Sequence, residues 1–286
     1  ELTLYIITGL FVGLQKTKTS SFAVGFFSIL NILISIVLVT KFDLNIKGVA
    51  YGTLFSASIT SIIFLIYMVW YLSKYTKITI NFAQIFNLKK IKNIFNINLN
   101  IFIRTILLTF SFLWFTYLGT QIGEDYVAAN AILINLVFLS AFILDAYAFS
   151  TEGIVGYSLG KKDLILFKNI VKNSFILSSL SGLIISVIFF FTYENVINLM
   201  SGIKEIRELS SSYVIWLIIL PLISSFCYQF DGIFIGVSQT KELRNAMMFS
   251  VLSYLIISII LTKLMFNNGI WISLCVFMIL RAISLF

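Results

Sequence analysis

The stretch GLFVGLQKTK at residues 9–18 returns as GIFIGVSQTK at residues 232–241. Gly9 and Gly232, Phe11 and Phe234, Gly13 and Gly236, Thr17 and Thr240, and Lys18 and Lys241 coincide at a constant offset of 223. The apolar segments that follow are also alike. SILNILISIVL at 28–38 stands against SVLSYLIISII at 250–260, with the offset slipped by one. Shared Gly, Thr and Lys positions set this apart from the chance likeness of two apolar runs. Internal repeats of this kind are a signature of secondary transporters.

The composition says what solvent surrounds the repeat. Hydrophobic residues are 59% of the 286 and charged residues 11%, with a mean hydropathy of +1.02. A soluble domain carries roughly 25% charged residues, so a protein this apolar could not cover its surface in water. Lipid is the expected solvent, and the length suits about eight or nine spans. One proline, Pro221, and 29 phenylalanines fit long helices. Continuous apolar runs, rather than alternating ones, argue against a β-barrel. Cys227 and Cys275 both sit inside apolar runs and there is no histidine. Neither a disulfide framework nor a Cys/His metal site is supported. No cleavable signal pattern opens the chain. Residues 2–14 already read as the end of a membrane helix, so the expectation is a truncated N-terminus.

The spans read as 1–14, 22–40, 48–72, 97–119, 127–158, 170–192, 211–238, 246–265 and 269–285. The 127–158 run exceeds what a bilayer needs, so it must tilt or end in a surface segment around Gly156–Gly160. Alternate connections hold Lys16 and Lys18; Lys74, Lys77, Lys89, Lys90 and Lys92; Lys161, Lys162, Lys168 and Lys172; and Lys241 and Arg244. These thirteen face only five on the other side: Lys41, Lys47, Lys204, Arg207 and Lys263. The excess places loops 15–21, 73–96, 160–172 and 239–245 in the cytoplasm. It also explains the +8 net charge without a nucleic acid partner. Six spans separate the two copies of the repeat, so both face the same way and are parallel repeats. The second half begins near residue 95. Equal halves would put roughly 130 residues upstream of the first copy, in a twelve-helix whole.

Ionisable groups inside spans cost on the order of 2.5–3.5 kcal/mol each and are functional candidates. Arg104, Asp145, Glu152 and Asp231 qualify. At ~1.5 Å per residue, Glu152 lies ~14 Å in from Lys161, Asp231 ~15 Å in from Lys241, and Arg104 at most ~18 Å in from Lys92. These three reach a common level. Asp145 lies two turns from Glu152 on the same face, nearer the outer side, with Ala148 between them leaving room for water or an ion. Arg104 neutralises one acid, or is a fixed salt bridge that only orients helices. Two carboxylates are left to take up H⁺ or ligate Na⁺, and either makes a coupling site. No cofactor beyond that ion is expected. Tyr228 and Gln229 beside Asp231 are candidate cavity-lining residues. Without histidine, and with no Ser/Lys or metal constellation, an intramembrane enzyme is not supported.

Three segments resemble the multidrug and toxic compound extrusion (MATE) family, most closely its DinF-like branch. GLFVGLQKTKT at 9–19 is similar to the family's RGLxDTRTP turn after its fourth helix. AFILDAYAFSTEGIVGYSLG at 141–160 resembles the branch's eighth helix, AYALDGFAYAxExxxGxxxG, and YQFDGIFIG at 228–236 its tenth. The resemblance implies a two-lobe, V-shaped, all-α transporter. Residues 1–88 would be the end of the N-lobe (part of helix 4, then helices 5 and 6), and 89–286 the C-lobe of helices 7 to 12. It implies a monomeric inner-membrane antiporter that exports drug-like or other small organic compounds in exchange for H⁺ or Na⁺. Asp231 would fall on a cation-site position. The seventh-helix glutamate of many members is absent around Leu107–Thr109, where the helix carries Arg104, and Ser20 stands where the family has proline. These departures shift weight to Asp145 and Glu152. The N-lobe coupling acid would lie upstream. A lipid-linked oligosaccharide flippase of the same superfamily would need several cationic cavity side chains, and a non-transporting remnant of a truncated gene is the other alternative.

Overall fold

The computed structural model of the protein describes residues 1–75 and 87–286. It divides into two compact units, Glu1–Asn87 and Leu88–Phe286. The first contains α1 (Leu2–Gly13), α2 (Thr17–Thr40) and α3 (Asn45–Tyr75). Leu4, Ile7, Phe11, Ala23 and Phe64 form its core, with Phe11 against the rings of Tyr67 and Tyr71. Helices α2 and α3 meet at a glycine. A Cβ on Gly52 would collide with the Ser35 side chain and reach its Cα at 2.9 Å. Asn31 bridges the same pair by donating to Thr53 Oγ1 at 3.2 Å. Small residues and side-chain amides are how helices associate where lipid removes the hydrophobic drive between them.

The second unit contains α4 (Leu88–Ile122), α5 (Glu124–Gly160), α6 (Leu164–Met200), α7 (Lys204–Ser212), α8 (Val214–Gly236) and α9 (Thr240–Ile283). Among the described residues, α2, α3, α4, α5, α6, α8 and α9 are each long and apolar enough to cross a membrane. The protein is a multi-pass membrane protein. The core of this unit gathers on α5, α8 and α9, with Leu133, Leu144, Leu217, Leu220, Trp271 and Phe277 all at 0% exposure.

Helix α9 is two spans. Phe266 leaves helical geometry at φ 51°, ψ −132°. The rings of Tyr254 and Phe277 then meet at 5.2 Å, although 23 residues of straight helix would hold them ~35 Å apart. The arms 240–265 and 267–283 therefore fold back on each other, as the separate spans 246–265 and 269–285 anticipate. Gly269 makes the reversal possible, because a Cβ there would collide with Leu261 and stand 2.7 Å from Thr262 N. Phe266 is 69% exposed and sits at a positive φ that costs a non-glycine residue about 1–3 kcal/mol. Phe266→Gly is expected to stabilise the protein by about 1 kcal/mol, read as a higher melting temperature in detergent. An unchanged or lower value would contradict the strain.

The repeated stretch takes one geometry in both copies. Gly13 and Gly236 end their helices, Gln15 and Ser238 have φ near 60°, and Thr17 and Thr240 begin the next. Lys16 N–H donates to Phe11 O at 2.8 Å, and Gln239 N–H to Phe234 O at 2.9 Å. These are Schellman closures. The α5–α6 corner repeats them, with Lys162 at φ 58° and Asp163 N–H donating to Ser158 O at 3.1 Å. The turn is a common one, so the repeat is carried by its residues more than by this shape.

Helices run further than the apolar segments. The expected loops 15–21, 160–172 and 239–245 contract to residues 14–16, 161–163 and 237–239, and Lys168, Lys172 and Arg244 ride on helix. Of loop 73–96, Ser73–Tyr75 and 88–96 are helical, and residues 76–86, with Lys77, lie outside the described residues. The 127–158 run forms no separate surface segment at Gly156–Gly160, since α5 stays helical to Gly160. Hydropathy also passes over α7, a short amphipathic helix that buries Ile206 and Ser210.

Candidate functional site

Asp231 lies on α8 at 6% exposure, inside the second unit. Its Oδ2 accepts from Nη2 of Arg104 on α4. The same oxygen accepts from Nη2 of Arg281, on the returning arm of α9, at 2.6 Å. Arg281 is 2% exposed, and the Arg104 side chain 14%. The Nε atoms of both arginines have no hydrogen-bond partner among the described residues. Arg281 also lies over the rings of Tyr228 and Phe277, with Cζ 5.8 and 5.5 Å from their centroids. One carboxylate thus joins three helices through two guanidinium groups.

Arg281 is the group that sequence reasoning passed over. The signal was readable, because Arg281 falls within the expected span 269–285.

The acids are arranged by how closely α5 and α8 approach. A Cβ on Gly232 would collide with the Ala148 carbonyl and stand 2.9 Å from its C and Cα. One on Gly236 would meet Glu152 O at 2.6 Å. The two helices run parallel in this register, Ala148 beside Gly232 and Glu152 beside Gly236. Asp145 is therefore level with Gln229, ~3 Å along the axis from Asp231, whereas Glu152 lies ~7–8 Å further toward the α8–α9 corner. Asp145 is within electrostatic range of Asp231, Arg104 and Arg281. This corrects the expected levels, in which Glu152 joined Arg104 and Asp231 and Asp145 stood apart. It also fills the space expected at Ala148, where the backbone of α8 is packed.

Asp145 and Glu152 are both half-buried, and neither forms an ion pair or hydrogen bond with a described side chain. Ser181 donates to Tyr147 Oη at 2.8 Å beside them. Tyr228 and Gln229, read as cavity-lining, are 9% and 0% exposed. Gln229 Oε1 accepts from Thr151 at 3.0 Å, and its Nε2 has no partner among the described residues. With Asp145 and Asp231 ionised the four charges balance; a proton on Asp145 leaves the group at +1.

The MatE family model matches residues 101–264, more than half of the chain. The chain belongs to this family, and within it is DinF-like. It is 29% identical over 280 residues to DNA damage-inducible protein F of Escherichia coli K12, covering 98% of this chain and 61% of that protein. It is 24% identical over 230 residues to the multidrug export protein MepA of Staphylococcus saprophyticus, covering 80% of this chain and 49% of the relative. The chain thus spans roughly half to six-tenths of these relatives' length. Among solved structures, an outward-facing multidrug resistance MATE family transporter of the MOP superfamily superposes with a TM-score of 0.89 at 16% identity, over 98% of this chain and 63% of that one. The Vibrio cholerae MATE transporter VcmN in its bent form gives 0.86 at 17%, over 99% and 64%. The fold is the all-helical one of MATE transporters.

Proposed function

We propose that the complete protein is a secondary active exporter of small organic compounds, driven by protons entering through Asp145. The buried Arg104–Asp231–Arg281 cluster with Asp145 beside it is the observation that carries this reading. Asp231 is committed to two guanidinium donors, while Asp145 has no bonded partner among the described residues and is open to proton exchange. The site takes a cation at Asp145 and changes charge when it does, which is what a coupling group must do.

The donor set favours H⁺ over Na⁺. A sodium site needs several oxygens at once. Here Asp231 Oδ2 already serves two arginines, and those arginines repel a second cation. A proton needs one carboxylate oxygen. The flippase reading gains a second buried cation in Arg281, but both guanidinium groups point at Asp231, so neither is left to hold pyrophosphate. In the cell's inner (plasma) membrane, the excess of lysines supports an orientation with residues 14–16, 161–163 and 237–239 in the cytoplasm. Proteoliposomes of the complete protein, loaded with ethidium as probe, test the coupling. A proton gradient alone is expected to drive ethidium transport. Transport driven by a sodium gradient and indifferent to protons would overturn the assignment.

A further inference from the structure

Away from the charged cluster, the α5–α6 and α8–α9 corners enclose a cavity of ≈ 370 Å³. Leu159, Phe167, Ile233 and Phe234 wall it, and Lys162, Asp163 and Gln239 are its charged and amide lining. The place is the end of four membrane helices, where lipid headgroups lie.

Basic residues outnumber acidic ones around these corners: Lys161, Lys162, Lys168, Lys172, Lys241 and Arg244 stand against Asp163 and Glu242. Lys162 is exposed and forms no ion pair among the described residues. Lys161 rests its Nζ over the Tyr157 ring at 4.5 Å, and Lys241 follows in the first turn of α9. The one acid at the α5–α6 corner, Asp163, accepts from Leu166 N–H at 2.9 Å as the cap of α6. It also lines the cavity, but one of its oxygens is engaged at the helix end and the surrounding lysines outnumber it. An apolar slot beneath a corner of net positive charge fits a molecule with a phosphate at one end and hydrocarbon at the other. A free phosphate ion would gain nothing from the slot. A zwitterionic lipid brings its own amine and so gains less from the lysines. Basic pockets between membrane helices take anionic lipid headgroups for this reason.

We propose that this cavity is a binding site for an anionic phospholipid, its phosphate at Lys162 and Lys161 and part of an acyl chain between Phe167 and Phe234. The site is independent of the transport reading and of Asp145. Native mass spectrometry of the complete protein in detergent tests it, titrating phosphatidylglycerol against phosphatidylcholine with identical chains. The wild type is expected to retain phosphatidylglycerol preferentially. Lys162→Asn keeps a residue that accepts the left-handed backbone and removes the charge; it is expected to cut that preference about fivefold. Lys263→Gln, at the far end of the first arm of α9, is expected to leave it unchanged. Equal retention of both lipids by the wild type overturns the site. So does an undiminished preference in Lys162→Asn, or an equal loss in Lys263→Gln, which would show a diffuse attraction rather than a pocket.

Discussion

Asp231→Asn is expected to destabilise the second unit by about 3–5 kcal/mol, the range for breaking a buried ion pair from one side. Asparagine preserves shape and still offers an oxygen, so the change isolates the charge. Two arginines then lie without their shared anion, one of them at 2% exposure. Arg104, at 14%, can recover some solvation, so most of the cost falls on Arg281. The sequence alone suggests a different result for this variant, lost transport with normal insertion. The structure makes it a folding variant first. Equilibrium unfolding in mixed micelles checks the magnitude. Adding Arg281→Gln to Asp231→Asn restores the charge balance, with Arg104 facing Asp145, and is expected to recover part of the loss. A single variant as stable as the wild type would show that the cluster does not hold α4, α8 and α9 together.

Gly232→Leu is expected to separate α5 from α8. The obstacle is backbone, the Ala148 carbonyl with its C and Cα at 2.9 Å, so no rotamer change makes room. Overpacking costs about 1–3 kcal/mol where neighbours can shift and more where they cannot. The displaced helix would carry Asp145 away from the arginines and break the Thr151–Gln229 bond, so coupling and stability are expected to fall together. Gly160→Ala is the matched control, because a Cβ there meets nothing within 4 Å. Gly232→Leu melting with the control would contradict the close approach. Sodium or proton flux need not be measured to decide this point.

Much of the fold was legible because apolar runs must become helices in lipid. The break between 265 and 269 reads correctly from Asn267, Asn268 and Gly269, although Phe266 carries the reversal. The repeat offset of 223 aligns the helix starts at Thr17 and Thr240 and the left-handed residues Gln15 and Ser238. Loop lengths were less legible, since lysines mark where lipid ends and not where helices end. The site was half legible. Arg104 and Asp231 pair as their depths suggest. The ordering of Asp145 and Glu152 could not be read by counting inward from lysines, because the helices stop short of those lysines by unequal amounts: α5 ends at Gly160, just before Lys161, and α8 at Gly236, five residues before Lys241. The α5–α8 register decides it, and that register is set by Gly232 and Gly236, whose pairing with Ala148 and Glu152 has no trace in one sequence.

Proton release tests the central claim most directly. The complete protein in weakly buffered detergent is mixed with ethidium, and a pH indicator reports protons given up on binding. Asp145→Asn resembles the protonated state, with the same charge and nearly the same shape, so it is expected to fold. The account predicts release of protons by the wild type and none by Asp145→Asn, with ethidium still bound by both. Equal release from the two proteins would contradict it and move the coupling group elsewhere in the complete chain.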